Sequence, residues 1–371
     1  MNFEKNNSSL SGIKVLVAPL DWGLGHATRC IPIICELQQL GATVYVAAEG
    51  RIRELLEKEL KQIVFLPLQG YNIRYSKSRH LLPLTLLFQL PKFLLGVHKE
   101  NKWLKKAVKQ YGFDAVISDN RPGLYHAAVP CIYITHQLTI KTGFAFTEWL
   151  AQRMHYHFIN KFSACWVPDN FEKYILAGDL SHPKKLPRPP LHYPGPLSRF
   201  EKTEAEKKYK LLILLSGPEP QRTVFENILL AELEFFRETV LFVRGLPGDV
   251  AVLTLQNKNI EVYNHLPAAD LCIAIQQAEM VICRSGYTSV MDLIALQQKA
   301  ILVPTPGQTE QEYLGEYLMK QKLFVCTPQH KFSLSGAQQL ADGFPFSIIN
   351  IDSHLYKKTI QEFFCNLKKE A

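Results

Sequence analysis

The sequence lacks the features by which exported and membrane-spanning proteins are recognised. Its opening residues, MNFEKNNSSLSG, are polar and contain no apolar core of the kind that a signal peptide needs. No run of about 18 uninterrupted apolar residues occurs, which argues against a spanning helix. The 8 cysteines form no CxxC pair, and several lie inside apolar runs as small hydrophobic residues. These absences predict a protein of the reducing cytoplasm without structural zinc.

The composition is that of an ordinary folded protein. A chain of 371 residues, 47% of them hydrophobic, can bury a separate core in each of two domains. The formal net charge of +8 is compatible with nucleic acid, anionic lipid or phosphorylated small molecules as partners.

Short apolar runs alternate with longer helical patterns, such as those at His26–Leu40 and Phe93–Gln110, which predicts an α/β protein with parallel sheets. The alternation stops at Ser181–Arg199, where six prolines exclude a helix or a central strand, and this predicts an interdomain linker. Strands are predicted at Ile13–Ala18, Ala42–Ala47, Ile63–Leu66, Ala115–Ser118, Cys131–Thr135 and Ala164–Val167 before it, and at Leu211–Leu215, Thr239–Val243, Ile260–Tyr263, Met280–Cys283, Ala300–Val303 and Phe324–Cys326 after it.

This pattern predicts two doubly wound domains whose ligands bind at the carboxyl ends of the strands. The expected boundaries are an N-terminal domain at 1–180, a linker at 181–200, a C-terminal domain at 201–350 and a last helix at 351–371. That last helix, over Asp352–Lys369, can pack on either domain.

The most informative motif lies in the second half, where a buried strand ends and a helix begins. It reads VICRSGYTSVMD and ends at Asp292, with Arg284, Ser285 and Gly286 in the turn. Backbone N–H groups at such a helix start, together with the helix dipole, form an anion site that suits a diphosphate. Thr288 and Asp292 share a helix face about 5.4 Å apart, roughly the step from a phosphate to its ribose. The alternative is a capped helix with an exposed aspartate.

Two further turns in this half carry polar residues after a strand. Ser216 and Gly217 form a second glycine turn that can face the same phosphates, or an ordinary strand-to-helix turn. Gln308, Glu310 and Gln311 cluster at a later helix start, where amide and carboxyl groups suit the recognition of sugar hydroxyls. The alternative for this cluster is a solvated, capped first turn.

Together these turns resemble the family 28 glycosyltransferases, which include peptidoglycan lipid-intermediate GlcNAc transferases, and the wider family 1 UDP-glycosyltransferases. The match is closest across Cys283–Gln311, where a strand, R-S-G, hydroxyl residues, an acid, a second strand, a proline and a glutamine recur in order. The resemblance implies the GT-B architecture, in which two Rossmann-like domains face each other across a cleft. It also implies a UDP-sugar donor and an acceptor hydroxyl on a glycan or a lipid-linked molecule.

The resemblance assigns roles to residues of the second half. Asp292 is expected at the ribose, although the families usually have glutamate there, and the backbone near Leu266 at the base. The glycine turn at Ser216 is shorter than the families' glycine-serine loop. The expected donor-binding residues are Ser216, Gly217, Leu266, Arg284, Ser285, Gly286, Thr288, Asp292, Gln308, Glu310 and Gln311.

The first half carries the motif LDWGLGHATR directly after its first strand. Gly23 and Gly25 let the backbone turn sharply and approach a ligand, and His26 follows at the helix start. A dinucleotide fingerprint would need glycine where Thr28 stands, and only Glu49 offers an acid for a ribose. A dehydrogenase is therefore disfavoured.

In the resembling families this glycine-rich turn lies beside the acceptor and the donor phosphates. His26 is the expected general base, because an imidazole with a pKa near 6.5 suits that task at neutral pH. The alternative is a histidine that caps its helix or positions phosphate. Asp119 is the rival base or the carboxylate that orients His26, Asp21 is a weaker candidate, and His136 faces the cleft or is a loop histidine.

Two sequence patterns are missing that other glycosyltransferases use. No DxD triplet occurs, so a metal–diphosphate chelate has no ligand pair, and no metal or other cofactor is expected. The retaining GT-B pattern of two glutamates eight residues apart would need an acid at Arg284. Both absences favour an inverting, metal-independent displacement in which N–H groups and a helix dipole stabilise the leaving diphosphate.

The basic residues of the chain are concentrated at Tyr71–Gln110, where nine of them stand against one acid. Leucine and phenylalanine are frequent in its middle, which prolines interrupt. Such a segment suits peripheral contact with an anionic membrane at its inner face, or is a helix with a solvated lysine face. No nucleic-acid-binding module accompanies the charge. The basic residues are Arg74, Lys77, Arg79, Lys92, Lys99, Lys102, Lys105, Lys106 and Lys109.

Two other functions are compatible with the same fold. One is an enzyme like UDP-GlcNAc 2-epimerase, which works without an acceptor. The other is a non-catalytic protein that binds a membrane or a polyanion.

Overall fold

The computed structural model describes residues 10–71, 82–248, 251 and 253–370, which form two compact units. The first contains the described residues up to Arg199 and those from Asp352 onward, and the second is Phe200–Ile351. The C-terminal helix thus belongs to the first unit.

The first unit contains one parallel sheet with helices between its strands. In sheet order the strands are β3-β2-β1-β4-β5-β6-β7. Chain order reverses direction between β1 and β4, so the loops that follow these two strands diverge at the point where ligands of doubly wound sheets bind. The elements are β1 (Lys14–Pro19), α1 (Leu24–Gln39), β2 (Thr43–Ala47), α2 (Gly50–Glu59), β3 (Val64–Leu66), α3 (Leu82–Tyr111), β4 (Ala115–Asp119), β5 (Cys131–Ile134), α4 (Ala145–Ile159), β6 (Ala164–Trp166) and β7 (Leu191–His192).

The central strands are buried on both faces, which explains their continuous apolar sequences. Pro19 pairs in register with Asp119, so β1 and β4 end side by side. Helix α1 starts at Leu24, five residues after Pro19. The register therefore brings the glycine-rich turn and the aspartate at the end of β4 to one place.

The second unit repeats the design with six parallel strands in the order β10-β9-β8-β11-β12-β13. Cys283 pairs with Leu214 on one side and with Leu302 on the other, so β8, β11 and β12 end together. The elements are β8 (Tyr209–Leu214), α5 (Gln221–Leu233), β9 (Val240–Val243), β10 (Ile260–Tyr263), α6 (Ala268–Gln277), β11 (Ala278–Cys283), α7 (Tyr287–Ala295), β12 (Ala300–Leu302), α8 (Thr309–Lys320), β13 (Val325–Cys326) and α9 (Leu334–Asp342).

The last helix, α10 (Leu355–Glu370), packs on α1 and β6 of the first unit. Gln361 donates from Nε2 to Oε1 of Glu36 at 3.3 Å, and the ring of Phe363 lies edge-on to Trp166. Ile360 and Phe364 are buried beneath the helix.

Two proline-containing segments differ from the sequence expectation. Helix α3 continues through Pro91, since a proline removes one helical hydrogen bond without ending every helix. Part of the segment expected to be a linker forms β7, an edge position at which prolines are tolerated. Arg74, Lys77 and Arg79 lie outside the described residues. Within the part of the chain that the structure describes, no helix combines the length and apolar content needed to cross a bilayer.

Candidate active site

The glycine-rich turn of the first unit connects β1 to α1. Gly23 is the residue before the helix and has a φ of 154°, a backbone conformation that favours glycine. Gly25 and His26 lie in the first turn of the helix, where backbone N–H groups have no acceptor within the helix. The turn therefore presents an imidazole and N–H groups together.

His26 contacts Asp119, the last residue of β4. Nδ1 of His26 lies 3.0 Å from Oδ2 of Asp119, whose side chain is fully buried, whereas the side chain of His26 is 18% exposed. The aspartate is therefore placed to orient an imidazole that solvent can reach. This is the geometry of a base with an orienting carboxylate.

Arg29 completes this group of residues. Its Nε lies 3.0 Å from each oxygen of Asp119, and its NH2 group also donates to Oδ1. The same NH2 nitrogen is 2.9 Å from Nδ1 of His26, and NH1 is 3.2 Å from Nδ1 of His136. The buried carboxylate thus has a buried counter-ion.

The electrostatics of the group favour a neutral imidazole beside an ionised carboxylate. Burial raises the pKa of Asp119, but Arg29 and His26 outweigh it and hold that pKa below its usual value. Burial lowers the pKa of His26, and Arg29 and His136 add to this effect while Asp119 opposes it. His26 is consequently available as a proton acceptor at neutral pH.

The two weaker candidates of this unit have different surroundings. His136 follows β5, is 5% exposed and lies against Arg29. The carboxyl of Asp21 packs on Gly70, where a Cβ would come within 1.6 Å of Oδ2. Oδ1 of Asp21 is buried without a hydrogen-bond partner among the described residues.

Arg29 was not identified from the sequence, although it follows His26 by three residues on the same helix. The spacing places both side chains on one helical face. Their common partner, Asp119, lies 90 residues after Arg29 in the chain. The cluster therefore cannot be recognised from neighbouring residues in the sequence.

In the second unit, the turn between β11 and α7 has the predicted strand-to-helix form. Gly286 is the residue before the helix and has no side chain of its own to cap it. Ser285 is fully buried and donates from Oγ to the carbonyl of Gln311 at 2.8 Å, so its hydroxyl ties this turn to α8. Thr288 and Asp292 follow on α7, both half-buried.

Arg284 lies at the base of this turn as a buried cation. Its guanidinium is stacked 4.5 Å from the ring centre of Phe225, and no carboxylate among the described residues lies within ion-pair distance. Burial lowers its pKa to about 10, so the group is charged at neutral pH. Its hydrogen-bond acceptors are the carbonyls of Val303 (3.1 Å), Pro304 (3.3 Å) and Gln221 (2.9 Å) and the side-chain oxygen of Gln329 (2.7 Å).

Two buried polar atoms near Arg284 have no hydrogen-bond partner in the described part of the chain. They are Nε of Arg284 and Oγ1 of Thr305. Both lie next to Gly217, which has a φ of 107°; a Cβ there would be 3.5 Å from the hydroxyl and 3.9 Å from Nε. Two orphaned donors beside a residue without a side chain form a small recess for an anionic oxygen.

The start of α8 holds the loop that precedes it. Oε1 of Gln311 accepts from the N–H of Thr305 at 2.9 Å, and Oε1 of Glu312 accepts from Gly307 at 3.1 Å. Gln308 is the residue before the helix, and Glu310 is half-buried in its first turn. The side chain of Gln311 therefore has a structural partner besides any ligand.

Of the expected donor-binding residues, most meet at the ends of β8, β11 and β12. Ser216 and Gly217 follow β8 and are exposed, whereas Leu266 follows β10 and lies before α6. Thr305 was not identified from the sequence, because nothing local marks its hydroxyl as buried and unpaired. Within the described residues, no group of three or more histidines, cysteines and acids is arranged to hold a metal ion.

Comparison with known proteins identifies relatives over most of the chain. The family model described as Glycosyl transferase family 1 matches residues 14–334. The chain is 23% identical over 316 residues to an uncharacterized glycosyltransferase of Methanosarcina acetivorans, which covers 81% of this chain and 82% of that protein. It is 23% identical over 351 residues to the UDP-N-acetylglucosamine--N-acetylmuramyl-(pentapeptide) pyrophosphoryl-undecaprenol N-acetylglucosamine transferase of Amoebophilus asiaticus, with 85% and 84% covered.

A solved structure shows the same fold over nearly the full length. The glycosyltransferase of kitacinnamycin matches with a TM-score of 0.64 at 15% identity, and the match covers 97% of this chain and 95% of that one. Two parallel sheets with helices between their strands are the two Rossmann-like domains of the GT-B architecture. Since the family model also spans most of the sequence, the chain belongs to glycosyl transferase family 1 and is a glycosyltransferase.

Proposed function

We propose that the protein is an inverting, metal-independent glycosyltransferase that moves a sugar from a UDP-sugar to an acceptor hydroxyl, with His26 as the general base. The observation that carries this proposal is the pairing of His26 with the buried carboxylate of Asp119 at 3.0 Å. An imidazole that is 18% exposed and held by a buried acid is suited to proton abstraction from a bound hydroxyl. In this role Asp119 orients the base and does not itself take the proton.

The reaction has one displacement step. His26 accepts the acceptor's hydroxyl proton while the hydroxyl oxygen forms a bond to the anomeric carbon of the donor sugar. The bond from that carbon to the diphosphate oxygen breaks, and UDP leaves with the bonding electrons. Attack opposite to the leaving group inverts the anomeric configuration, and the proton later passes from His26 to solvent.

The second unit supplies the groups that would hold the diphosphate. Within the described residues, the recess between Gly217, Arg284 and Thr305 offers two unsatisfied donors and a cation that has no carboxylate partner. The N-terminus of α7 adds its backbone N–H groups and dipole. Such preorganised donors stabilise the charge that develops on a leaving diphosphate, which is why we propose that no metal ion is required.

Asp292 is proposed at the ribose, and Gln308, Glu310 and Gln311 at the sugar. Asp292 stands one turn into α7, beyond the residues proposed for the phosphates. UDP is supported as the donor nucleotide by the name of the Amoebophilus relative, which uses UDP-N-acetylglucosamine.

We also propose that the acceptor is lipid-linked and that the protein works at the inner face of the membrane. Lys92, Lys99, Lys102, Lys106 and Lys109 are exposed at spacings of three, four and seven residues, so they form one basic stripe along α3. The one acid of the helix, Glu100, points away from this stripe, since it is 4% exposed and bound to Arg121.

Exposed apolar side chains lie on the same helix and its neighbour. Leu95 on α3 is 63% exposed, and Phe146 and Trp149 on α4 are 72% and 56% exposed. The two helices are in contact through Phe93 and Phe158, whose rings are 6.2 Å apart. Lysines beside exposed aromatic and leucine side chains are typical of a surface that binds anionic lipid.

The catalytic proposal is tested by comparing turnover with nucleotide affinity. His26→Ala is expected to lower kcat by about 10²–10⁴-fold, with donor and acceptor saturating, and to leave the Kd for UDP nearly unchanged. Asp119→Asn is expected to lower kcat as well, because the imidazole loses its orienting carboxylate. His157→Ala, an exposed histidine of α4, is the matched control.

The outcomes separate the roles of the two residues. A parallel loss of UDP affinity and turnover in His26→Ala would make His26 a phosphate ligand. Normal turnover in His26→Ala with collapse in Asp119→Asn would move the base to Asp119.

A further inference from the structure

Arg29 contacts the charged and titratable side chains that act on His26 within the described residues. It contacts Asp119 from β4, His26 one helical turn away on α1, and His136 after β5. Cys30 also approaches Oδ2 of Asp119, at 3.8 Å. The Arg29 side chain is 2% exposed, so these contacts are shielded from solvent.

The contact with His136 fixes the proton on that ring. A guanidinium donates hydrogen bonds and cannot accept them. Nδ1 of His136, at 3.2 Å from NH1 of Arg29, must therefore be the unprotonated nitrogen. The proton of neutral His136 is on Nε2.

The proton of neutral His26 can lie on either nitrogen of the ring. If Nδ1 is bare, it accepts from Arg29, but its lone pair then faces Oδ2 of the buried carboxylate at 3.0 Å. If Nδ1 carries the proton, it donates to Oδ2 in a charge-assisted bond, and Arg29 still has Oδ1 as an acceptor. In the first arrangement the lone pair of Nδ1 opposes the negative charge of Oδ2, whereas in the second the two atoms share a charge-assisted hydrogen bond, so the second is favoured.

We propose that Arg29 is a positioning residue of the transfer reaction: it binds the carboxylate of Asp119 so that Oδ2 takes the Nδ1 proton of His26 and Nε2 is left as the basic nitrogen. This role presupposes that His26 is the base. Arg29 itself touches neither donor nor acceptor in this role.

A second consequence concerns charge. A carboxylate beside an imidazole stabilises the protonated ring, and a protonated ring is no base. The guanidinium of Arg29 opposes the carboxylate at nearly the same distance from Nδ1, 2.9 Å against 3.0 Å. Asp119 therefore orients His26 without converting it to the imidazolium form, and the neighbouring His136 adds no negative charge.

The test follows the His26 imidazole by NMR in protein labelled with ¹⁵N-histidine, with its signals assigned by their loss in His26→Ala. In the unmodified protein we expect the Nδ1–H tautomer of His26. Arg29→Met should raise the pKa of His26, because Asp119 is then unopposed, and Asp119→Asn should lower it. The double variant should lie between the two.

Arg29→Lys covers the case in which Arg29→Met does not fold. Lysine keeps the positive charge but cannot bind both oxygens of Asp119 as the guanidinium does. The pKa of His26 should therefore stay close to that in the unmodified protein, while its Nδ1–H tautomer is less populated. An Nε2–H tautomer in the unmodified protein, or an unchanged tautomer population in Arg29→Lys, would overturn the proposal. So would a folded Arg29→Met protein in which the His26 titration does not move upward.

Kinetics then separate this role from that of His26. The acid limb of kcat should move upward in Arg29→Met together with the NMR titration, and each unit beyond the assay pH costs about tenfold in kcat. If the titration moves and the kcat profile does not follow, His26 is not the base, and the arrangement around Arg29 stands without its role in catalysis.

Discussion

Individual buried charges are compensated in this chain in two different ways. Asp119 is paired with Arg29, and Glu100 is paired with Arg121 at 2.5 Å, so each carboxylate has a buried counter-ion. Removing one partner of such a pair typically costs about 3–5 kcal/mol. Arg284 differs, because carbonyl and amide oxygens surround it and its Nε has no acceptor among the described residues. A cation held in this way can bind an anion from solution.

The hydroxyl of Thr305 gives a test of that anion site. A buried polar atom without a partner costs about 1–3 kcal/mol, and valine has nearly the same shape as threonine. Thr305→Val is therefore expected to leave the Tm of the free protein equal or higher. It should weaken the binding of UDP, measured by calorimetry, by about 1.5–3 kcal/mol, since a hydrogen bond to a charged oxygen is lost.

Thr359→Val is the matched control, because Oγ1 of Thr359 already donates to the carbonyl of Leu355 at 3.3 Å. That variant should lose some stability and keep its affinity for UDP. Unchanged UDP affinity in a folded Thr305→Val protein would remove the recess beside Gly217 from the diphosphate site.

His155 predicts a pH dependence of stability. Its Nε2 donates to the carbonyl of Gln137 at 2.9 Å, and burial lowers its pKa to about 4. Between pH 6.5 and about 4 the unfolded chain therefore binds a proton that the folded chain does not, so the free energy of unfolding falls as the pH falls. The loss from this residue is about 3 kcal/mol over the window.

His155→Gln is expected to flatten the Tm profile between pH 7 and pH 4.5, because glutamine carries no titrating group there. The lowered pKa of His26 acts in the same direction and leaves a residual slope. Asp119 acts only at lower pH, since its pKa is below the ordinary value. An equally steep Tm profile in His155→Gln would mean that His155 is protonated in the folded protein.

The secondary-structure elements show how far the sequence alone can lead. Continuous apolar strands predict a parallel sheet, and the meeting of β1 and β4 follows from doubly wound topology. The two catalytic candidates named from the sequence, His26 and Asp119, are accordingly in contact. Arg29 and Thr305 were not named from the sequence. Arg29 meets Asp119, and the hydroxyl of Thr305 is buried, only as a result of tertiary packing. Pro91 is a different case. Local rules predict that a proline breaks the helix at this position, but α3 continues through it.

Helix α3 carries the prediction about the membrane. Changing Lys99, Lys102 and Lys106 to glutamate should abolish cosedimentation with vesicles that contain phosphatidylglycerol, because the stripe then repels the anionic surface. The unmodified protein should bind these vesicles at low salt, bind less at high salt, and bind vesicles of phosphatidylcholine weakly.

The matched control changes Lys258, Lys320 and Lys331 to glutamate, three exposed lysines of the second unit with the same total charge. Equal loss of vesicle binding in the control would show that net charge matters and the stripe does not. Full binding by the α3 variant would exclude this helix as the contact surface.

The molecule as a whole leads to a prediction about metal ions. In the proposed mechanism, protein groups alone stabilise the charge on the leaving diphosphate, namely Arg284, Thr305 and the start of α7. Activity should therefore be fully retained in excess EDTA, measured by UDP release. A strict requirement for Mn²⁺ or Mg²⁺ that is restored when the ion is added back would contradict this assignment.

The helix α10 has a consequence for how the molecule is made. Ile360 and Phe364 are 0% and 1% exposed, and the burial of such side chains contributes about 1.5–3 kcal/mol each to the unit that began with β1. A ribosome releases these residues only after it has passed the whole of Phe200–Ile351. The first unit, although it is begun first, therefore lacks its last helix until the whole of the second unit has been synthesised.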